Sequence, residues 1–271
     1  MTSDTRSFSP INMRPLTPLF ISIQREWTEL AATLILRSMK TSPSTPELER
    51  SPAPGSAFTP AFPVLGAYDL IVRWVSRETA WRSALIDRLD ARDSELIVDA
   101  GCGTGSLLML LGVKASGARL IGIDPDARIL DRAAAKLARA SVQADLKHGF
   151  LRDVCAVIGE GQASKITSSL VFHQVPMQEK RAGLAAMVKA LAPGGTVLIA
   201  DYGLQRTMLM RSLFKLVQCV DGFVDTQPNA DGLLPQLMRE AGFTEVVETD
   251  LFATPSGSIS IYRGRAPQRA G

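Results

Sequence analysis

From about residue 77 onward, short apolar runs alternate with stretches of helical spacing. Leu96-Ile97-Val98 and Leu120-Ile121-Gly122-Ile123 are continuous apolar runs of strand length, the mark of strands buried on both faces. Residues 77–89, 106–111 and 128–140 carry helical periodicity, and the alternation Val142, Ala144, Leu146, His148 predicts a third strand. A short helix and turn are expected over 151–162, a fourth strand over 166–172 and a helix over 179–191. The turn Pro193-Gly194-Gly195 then feeds a fifth strand over 196–200. A helix over 232–241 precedes strands over 245–249 and 258–262, whose short link with Pro255 and Gly257 permits an antiparallel hairpin at a sheet edge. Between Gly203 and Asp231 a minimal sheet needs nothing, yet Leu209, Leu213, Leu216, Val217 and Val220 repeat helically. They suit core packing or the wall of an apolar pocket. Strands alternating with helices predict an α/β fold.

The first 60 residues follow another pattern. Residues 1–15 are polar and proline-punctuated, and 41–60 are dominated by Pro, Ser and Thr, compositions that support no packed core. Residues 21–39 read as one amphipathic helix with Trp27, Leu30, Leu34 and Ile35 on a face, either a dispensable extension or a contact for a membrane surface or neighbouring subunit. The expected organisation is therefore a mobile extension over 1–60, one domain over 61–264 and a loose tail over 265–271.

Composition narrows the function. In 271 residues, 46% hydrophobic positions are ample for one core, and a net charge of +3 without a long basic run argues against a nucleic-acid surface. A small-molecule acceptor suits this chain better, with a homodimer and peripheral membrane contact both compatible. Three scattered cysteines and two histidines give no metal-ligand spacing, so no metal is expected. No apolar run is long enough to span a bilayer. Arg25 and Glu26 interrupt the run 16–23 before any cleavage site, which predicts a cytoplasmic protein.

The chemistry concentrates at Asp99-Ala-Gly-Cys-Gly-Thr-Gly105, between an apolar run and an amphipathic one. Gly101, Gly103 and Gly105 let backbone approach a ligand closely. A dinucleotide fingerprint needs a glycine three positions after Gly103, where Ser106 stands instead. Asp99 has the wrong sign for a phosphate and the right one for a cationic ligand end. Asp124 ends the next apolar run about 20 residues on, where a carboxylate can accept both ribose hydroxyls. A ribose without a phosphate points to S-adenosylmethionine.

On these residues, with Gly122-Ile-Asp124-Pro125, Ser168-Ser-Leu-Val-Phe-His173, Leu191-Ala-Pro-Gly-Gly195 leading to Ala200-Asp201, and Ala241-Gly-Phe243, the chain resembles the class I S-adenosylmethionine-dependent methyltransferases over roughly residues 62–264. It looks most like the small-molecule branch of ubiquinone and menaquinone C-methyltransferases. The resemblance implies a Rossmann-like doubly wound sheet of seven strands with an antiparallel C-terminal strand and a helical N-terminal cap. It places the cofactor on Tyr68, Asp99, Gly101, Cys102, Gly103, Gly105, Asp124, Pro125, Gly149, Phe150, Ser168 and Ser169. Phe150 matches the adenine position, whereas neither Asp145 nor Asp153 stands in register as the adenine acid. Relatives begin the fourth strand with Phe-Asp where Ala163-Ser164 stand here. His173, at the mouth where an acceptor arrives, is the expected catalytic base, with a histidine satisfying backbone groups as the alternative. Asp201 could hold a substrate group or cap the following segment. The implied activity is methyl transfer to a small apolar or aromatic acceptor, a quinol, phenol or lipid-like molecule. The rivals are a non-catalytic S-adenosylmethionine-binding accessory subunit, an RNA or protein methyltransferase, and a nicotinamide oxidoreductase.

Overall fold

The computed structural model describes residues 78–268. The expected helix over 21–39, the tyrosine at position 68 and the domain boundary at residue 60 lie outside them.

Seven strands form one sheet in the order β3-β2-β1-β4-β5-β7-β6. β1 (Leu96–Ala100), β2 (Arg119–Asp124), β3 (Asp145–His148), β4 (Ala163–Ser169) and β5 (Leu191–Tyr202) are parallel. β7 (Gly257–Arg265) runs antiparallel against β5, and β6 (Thr244–Thr254) forms the edge beside it. The C-terminal hairpin expected from the link at Pro255 and Gly257 is present, with its second strand inserted between β5 and its first.

The buried apolar runs alternate faces with period two and divide the interior into two layers. Ile97, Leu198, Ile259 and Ile261 pack with Trp81, Leu85 and Leu89 of α1 (Glu78–Leu89) and Leu107, Leu108 and Leu111 of α2 (Ser106–Lys114). Val98, Ile121, Ile166, Val197 and Ile199 face the other way, toward α5 (Met177–Ala190) and α8 (Leu234–Glu240). Trp81 is completely buried, so α1 covers the sheet as a layer helix. The helix expected over 77–89 is thus present, packed against the sheet.

The remaining helices among the described residues are α3 (Ala127–Arg139), α4 (Val154–Ile158), α6 (Met208–Asp221) and α7 (Phe223–Ala230). Asp126 caps α3 by accepting from the backbone N–H groups of Arg128 and Ile129, and Thr207 caps α6 through Met210. The chain winds outward from β1 to β3, then returns to β4 on the opposite side of β1. Loops leaving β1 and β4 therefore diverge and open a crevice at their carboxyl ends, where open α/β sheets bind ligands. β4 starts three residues earlier than expected and ends at Ser169, because Leu170 turns into a left-handed conformation at φ 55°. Phe172 thus begins a 3-10 turn, Phe172–Gln174, instead of ending a strand. β5 also starts early: Leu191 already pairs with Ala163. Pro193-Gly194-Gly195 lie in the irregular stretch before the ladder resumes between Lys165 and Thr196.

Candidate active site

The glycine loop leaves β1 buried against β2. The N–H groups of Gly101 and Cys102 both donate to the Ile123 carbonyl, at 2.8 and 3.0 Å, and that of Gly103 donates to Asp124 Oδ2 at 2.9 Å. Gly101, Gly103 and Gly105 all have positive φ, 78°, 52° and 71°, which L side chains rarely adopt. Above Gly103 a Cβ would meet nothing within 4 Å, so its backbone is open to a ligand. At Gly101 a Cβ would lie 2.4 Å from Val171 Cγ2; the turn after β4 is seated directly on the loop.

Two acids meet at this crevice in different states. Asp124 Oδ1 accepts from the Asp126 N–H at 3.0 Å, and each carboxylate oxygen keeps a lone pair for a further donor. Burial raises its pKa, and those two backbone hydrogen bonds oppose the rise. Asp99 is completely buried with neither oxygen partnered, and burial, partly offset by Arg82, pushes it up to about 7. The hydroxyls of Thr167 and Ser168 near the end of β4 are likewise buried and unpartnered. Orphaned polar atoms beside an open glycine backbone are what a polar ligand would satisfy. The paired lone pairs of Asp124 suit ribose hydroxyls, and Asp99 suits a cationic amine.

The other expected cofactor residues fall around this crevice. Pro125 follows Asp124, and the Gly149 N–H donates to the Asp124 carbonyl at 3.2 Å. Phe150 starts the turn after β3, with its N–H on Asp153 Oδ2 at 2.9 Å and the Arg152 guanidinium 4.2 Å from its ring centroid. Asp145 sits at the opposite end of β3, paired with Arg119 at the surface, so only Asp153 stands on the ligand side. Cys102 is buried, and burial with Asp99 and Asp124 nearby keeps its thiol protonated. Ser169, half-buried, pairs with Ala200 of β5.

At the acceptor end the structure assembles a cluster that the sequence disclosed only in part. Asp201, fully buried, accepts through Oδ2 from the N–H groups of Val171 at 2.9 Å and Phe172 at 2.6 Å. Its Oδ1 accepts from the Tyr202 N–H at 2.7 Å and faces His173 Nδ1 at 2.8 Å. On the far side of the imidazole, Nε2 lies 3.4 Å from Asp221 Oδ2. Burial alone would lower the His173 pKa, but the two carboxylates outweigh it and raise it to about 9. A base needs a free lone pair at its working pH, and a ring protonated at neutrality between two acids has none. Both ring nitrogens are thus engaged by carboxylates, neither by the backbone groups of the alternative reading, and Asp201 acts as the clamp of the turn. Sequence reasoning passed over Asp221, whose partner His173 lies 48 positions away, and Lys180, whose partners run from Phe172 to Asp225.

A crevice at the switch point of a doubly wound sheet, with a ribose-suited acid and no phosphate turn, defines the class: a nucleoside-binding α/β enzyme. Residues 97–195 match the family model described as "Methyltransferase domain". The chain is 22% identical to the ubiquinone/menaquinone biosynthesis C-methyltransferase of Syntrophotalea carbinolica over 78% of this chain and 94% of that one. It is 35% identical to the trans-aconitate 2-methyltransferase of Pseudomonas paraeruginosa, over 41% of this chain and little more than a third, 37%, of that enzyme's length. The magnesium protoporphyrin IX methyltransferase of Synechocystis, solved with bound S-adenosylhomocysteine, superposes with a TM-score of 0.53 at 18% identity, covering 73% of this chain and 85% of that one. Residues 97–195 form a methyltransferase domain, and the matches support a class I S-adenosylmethionine-dependent methyltransferase with S-adenosylmethionine as its cofactor.

Proposed function

We propose that this methyltransferase acts on a small, largely apolar or aromatic acceptor of the quinol, phenol or lipid-like class. The observation that carries the reading is the 28-residue apolar-faced segment 204–231, which contributes α6 and α7 on the acceptor side of β5. Leu213, Leu216, Val217 and Val220 along α6 are only half-buried, and Met208 and Leu209 at its start are exposed, so the segment presents more apolar surface than its packing consumes. The similarity to a quinone C-methyltransferase along nearly its whole length supports the same class. No helix among the described residues is long and apolar enough to cross a membrane.

S-adenosylmethionine, when bound, supplies both an activated methyl group and its own leaving group. The chain's residues bind and orient. Asp124 would hold the ribose hydroxyls; Asp99, paired with the cationic amine, would become ionised; Ser168 and Ser169 would face the methionine part. Gly101 and Gly103 offer bare backbone, with Pro125, Gly149 and Phe150 around the adenine. Bringing nucleophile and methyl together is the main catalytic contribution required of such a site. With His173 enclosed by Asp201 and Asp221, the reading favours an acceptor that loses its proton to solvent or is already ionised, as a phenolate is.

The test is calorimetric titration of the full chain with S-adenosylmethionine, followed by transfer of a labelled methyl group to a panel of quinols, phenols and lipids. Transfer to members of this panel supports the reading. Cofactor binding without transfer to any of them, while polar carboxylic acids or RNA are methylated, would overturn the acceptor class. Cofactor binding with no methylation in any arm would favour the accessory subunit.

A further inference from the structure

We propose that His173, Asp201, Asp221 and Lys180 form a buried latch that fastens α6 and α7 to the turn after β4, making His173 a positioning residue for the acceptor wall. The inference rests on the reading just given, in which the acceptor arrives at the carboxyl ends of β4 and β5.

Three elements converge on the turn over residues 171–175. From β5, Asp201 takes the N–H groups of Val171 and Phe172. From α6, Asp221 reaches the turn through the His173 ring, whose other nitrogen faces Asp201. From beneath, Lys180 of α5 is wholly buried and donates to the carbonyls of Phe172 and Val175, the latter at 2.7 Å. It also donates at 2.9 Å to that of Asp225 in α7. One ammonium thus ties the turn to α7 while one imidazole ties it to α6.

With Asp201, Asp221 and Lys180 ionised, a protonated His173 brings these four groups to neutrality, whereas a neutral ring would leave them with an excess negative charge, which is costly in a buried cluster. Burial lowers the pKa of Lys180 to about 8, opposed by Asp201 and by Asp225 beside the cluster on α7. Tyr202 packs its ring edge-on to His173 at 4.9 Å between centroids, with its hydroxyl hydrogen-bonded to Ser256 Oγ at 2.7 Å. Val171, at the head of the turn, rests on Gly101. The insertion is therefore referenced to the cofactor loop, although α6 and α7 lie beyond the 97–195 segment that matches the family model.

The chain has only two histidines, so ring spectra are simple to assign. Long-range 1H–15N spectra of the full-length chain, with His173→Gln identifying the signal, should show His173 carrying both ring protons at pH 7.5 and titrating near 9. In Asp221→Asn its proton affinity should fall about tenfold or more, since one of two facing carboxylates is gone. Backbone amides over 208–230 should exchange about tenfold faster. S-adenosylhomocysteine affinity should stay within about twofold, because Asp201 still holds the turn by two backbone hydrogen bonds. A neutral His173 ring in the wild type at pH 7.5 overturns the latch, and so does an Asp221→Asn protein with unchanged titration and exchange. The wild-type titration needs neither variant nor acceptor, so its outcome stands apart from the acceptor screen.

Discussion

Asp99 is the group whose removal should separate stability from binding. It is wholly buried, neither oxygen has a partner, and burial moves its pKa from 3.8 to about 7. In the ligand-free protein the folded state therefore holds this proton more tightly than the unfolded chain does. The stability it costs grows as pH rises from about 4 and levels off above 7. At pH 8 the full cost is on the order of 4 kcal/mol, and at pH 5.5, where the folded acid keeps its proton, about 2 kcal/mol. Asp99→Asn removes the titration but buries an amide without a partner, which costs roughly 1–3 kcal/mol at every pH. That penalty cancels when the two pH values are compared. The difference in stability between variant and wild type should be about 2 kcal/mol more in the variant's favour at pH 8 than at pH 5.5. For a chain of this size this corresponds to roughly 4–8 °C in the difference of melting temperatures. Thermal unfolding of both proteins, stripped of cofactor, at the two pH values measures it. A melting-temperature difference that is the same at both would refute the reasoning, since it would mean that Asp99 does not titrate in this window.

The same acid should serve binding. Wild-type affinity for S-adenosylmethionine should rise about tenfold from pH 6 to 8 as Asp99 ionises, and Asp99→Asn should flatten the rise; a parallel slope in both proteins by calorimetry counts against the amine assignment. Asp124→Ala, which strips two ribose acceptors and releases the Gly103 N–H, should weaken binding by about 2 kcal/mol, and unchanged affinity would remove the ribose role. Lys136 of α3 donates to the hydroxyls of Thr104 and Ser106, at 2.7 and 2.8 Å, on either side of Gly105. Lys136→Met should weaken S-adenosylhomocysteine binding by about 1 kcal/mol, with Lys136→Arg restoring most of it; equal affinities in all three proteins would show that the loop needs no such clamp. Gly101→Ala must adopt a left-handed conformation and displace Val171, so a melting temperature equal to that of the wild type would contradict the contact.

What could be read before folding was whatever local periodicity encodes. The apolar runs Leu96-Ile97-Val98 and Leu120–Ile123 are strands buried on both faces, and the glycines between strand and helix marked the loop, because these signals sit within a few residues of one another. The end of β4 was misread for the opposite reason. Residues 166–172 look like one strand by composition, but Leu170 turns left-handed and the next two N–H groups go to Asp201, some 30 residues ahead. A strand also ends where a remote carboxylate outcompetes its neighbour for backbone donors, and no pattern inside the strand records that. His173 shows the limit most clearly: its place at the strand mouth is visible in the order of residues, but its chemistry belongs to Asp201 and Asp221, 28 and 48 positions away. Alone, a histidine at the end of β4 suggests a base; between two acids it becomes a cation that holds a wall in place. The residue type carries the capacity to take a proton, and the neighbours the fold supplies decide whether that capacity is spent on the reaction or on the structure around it.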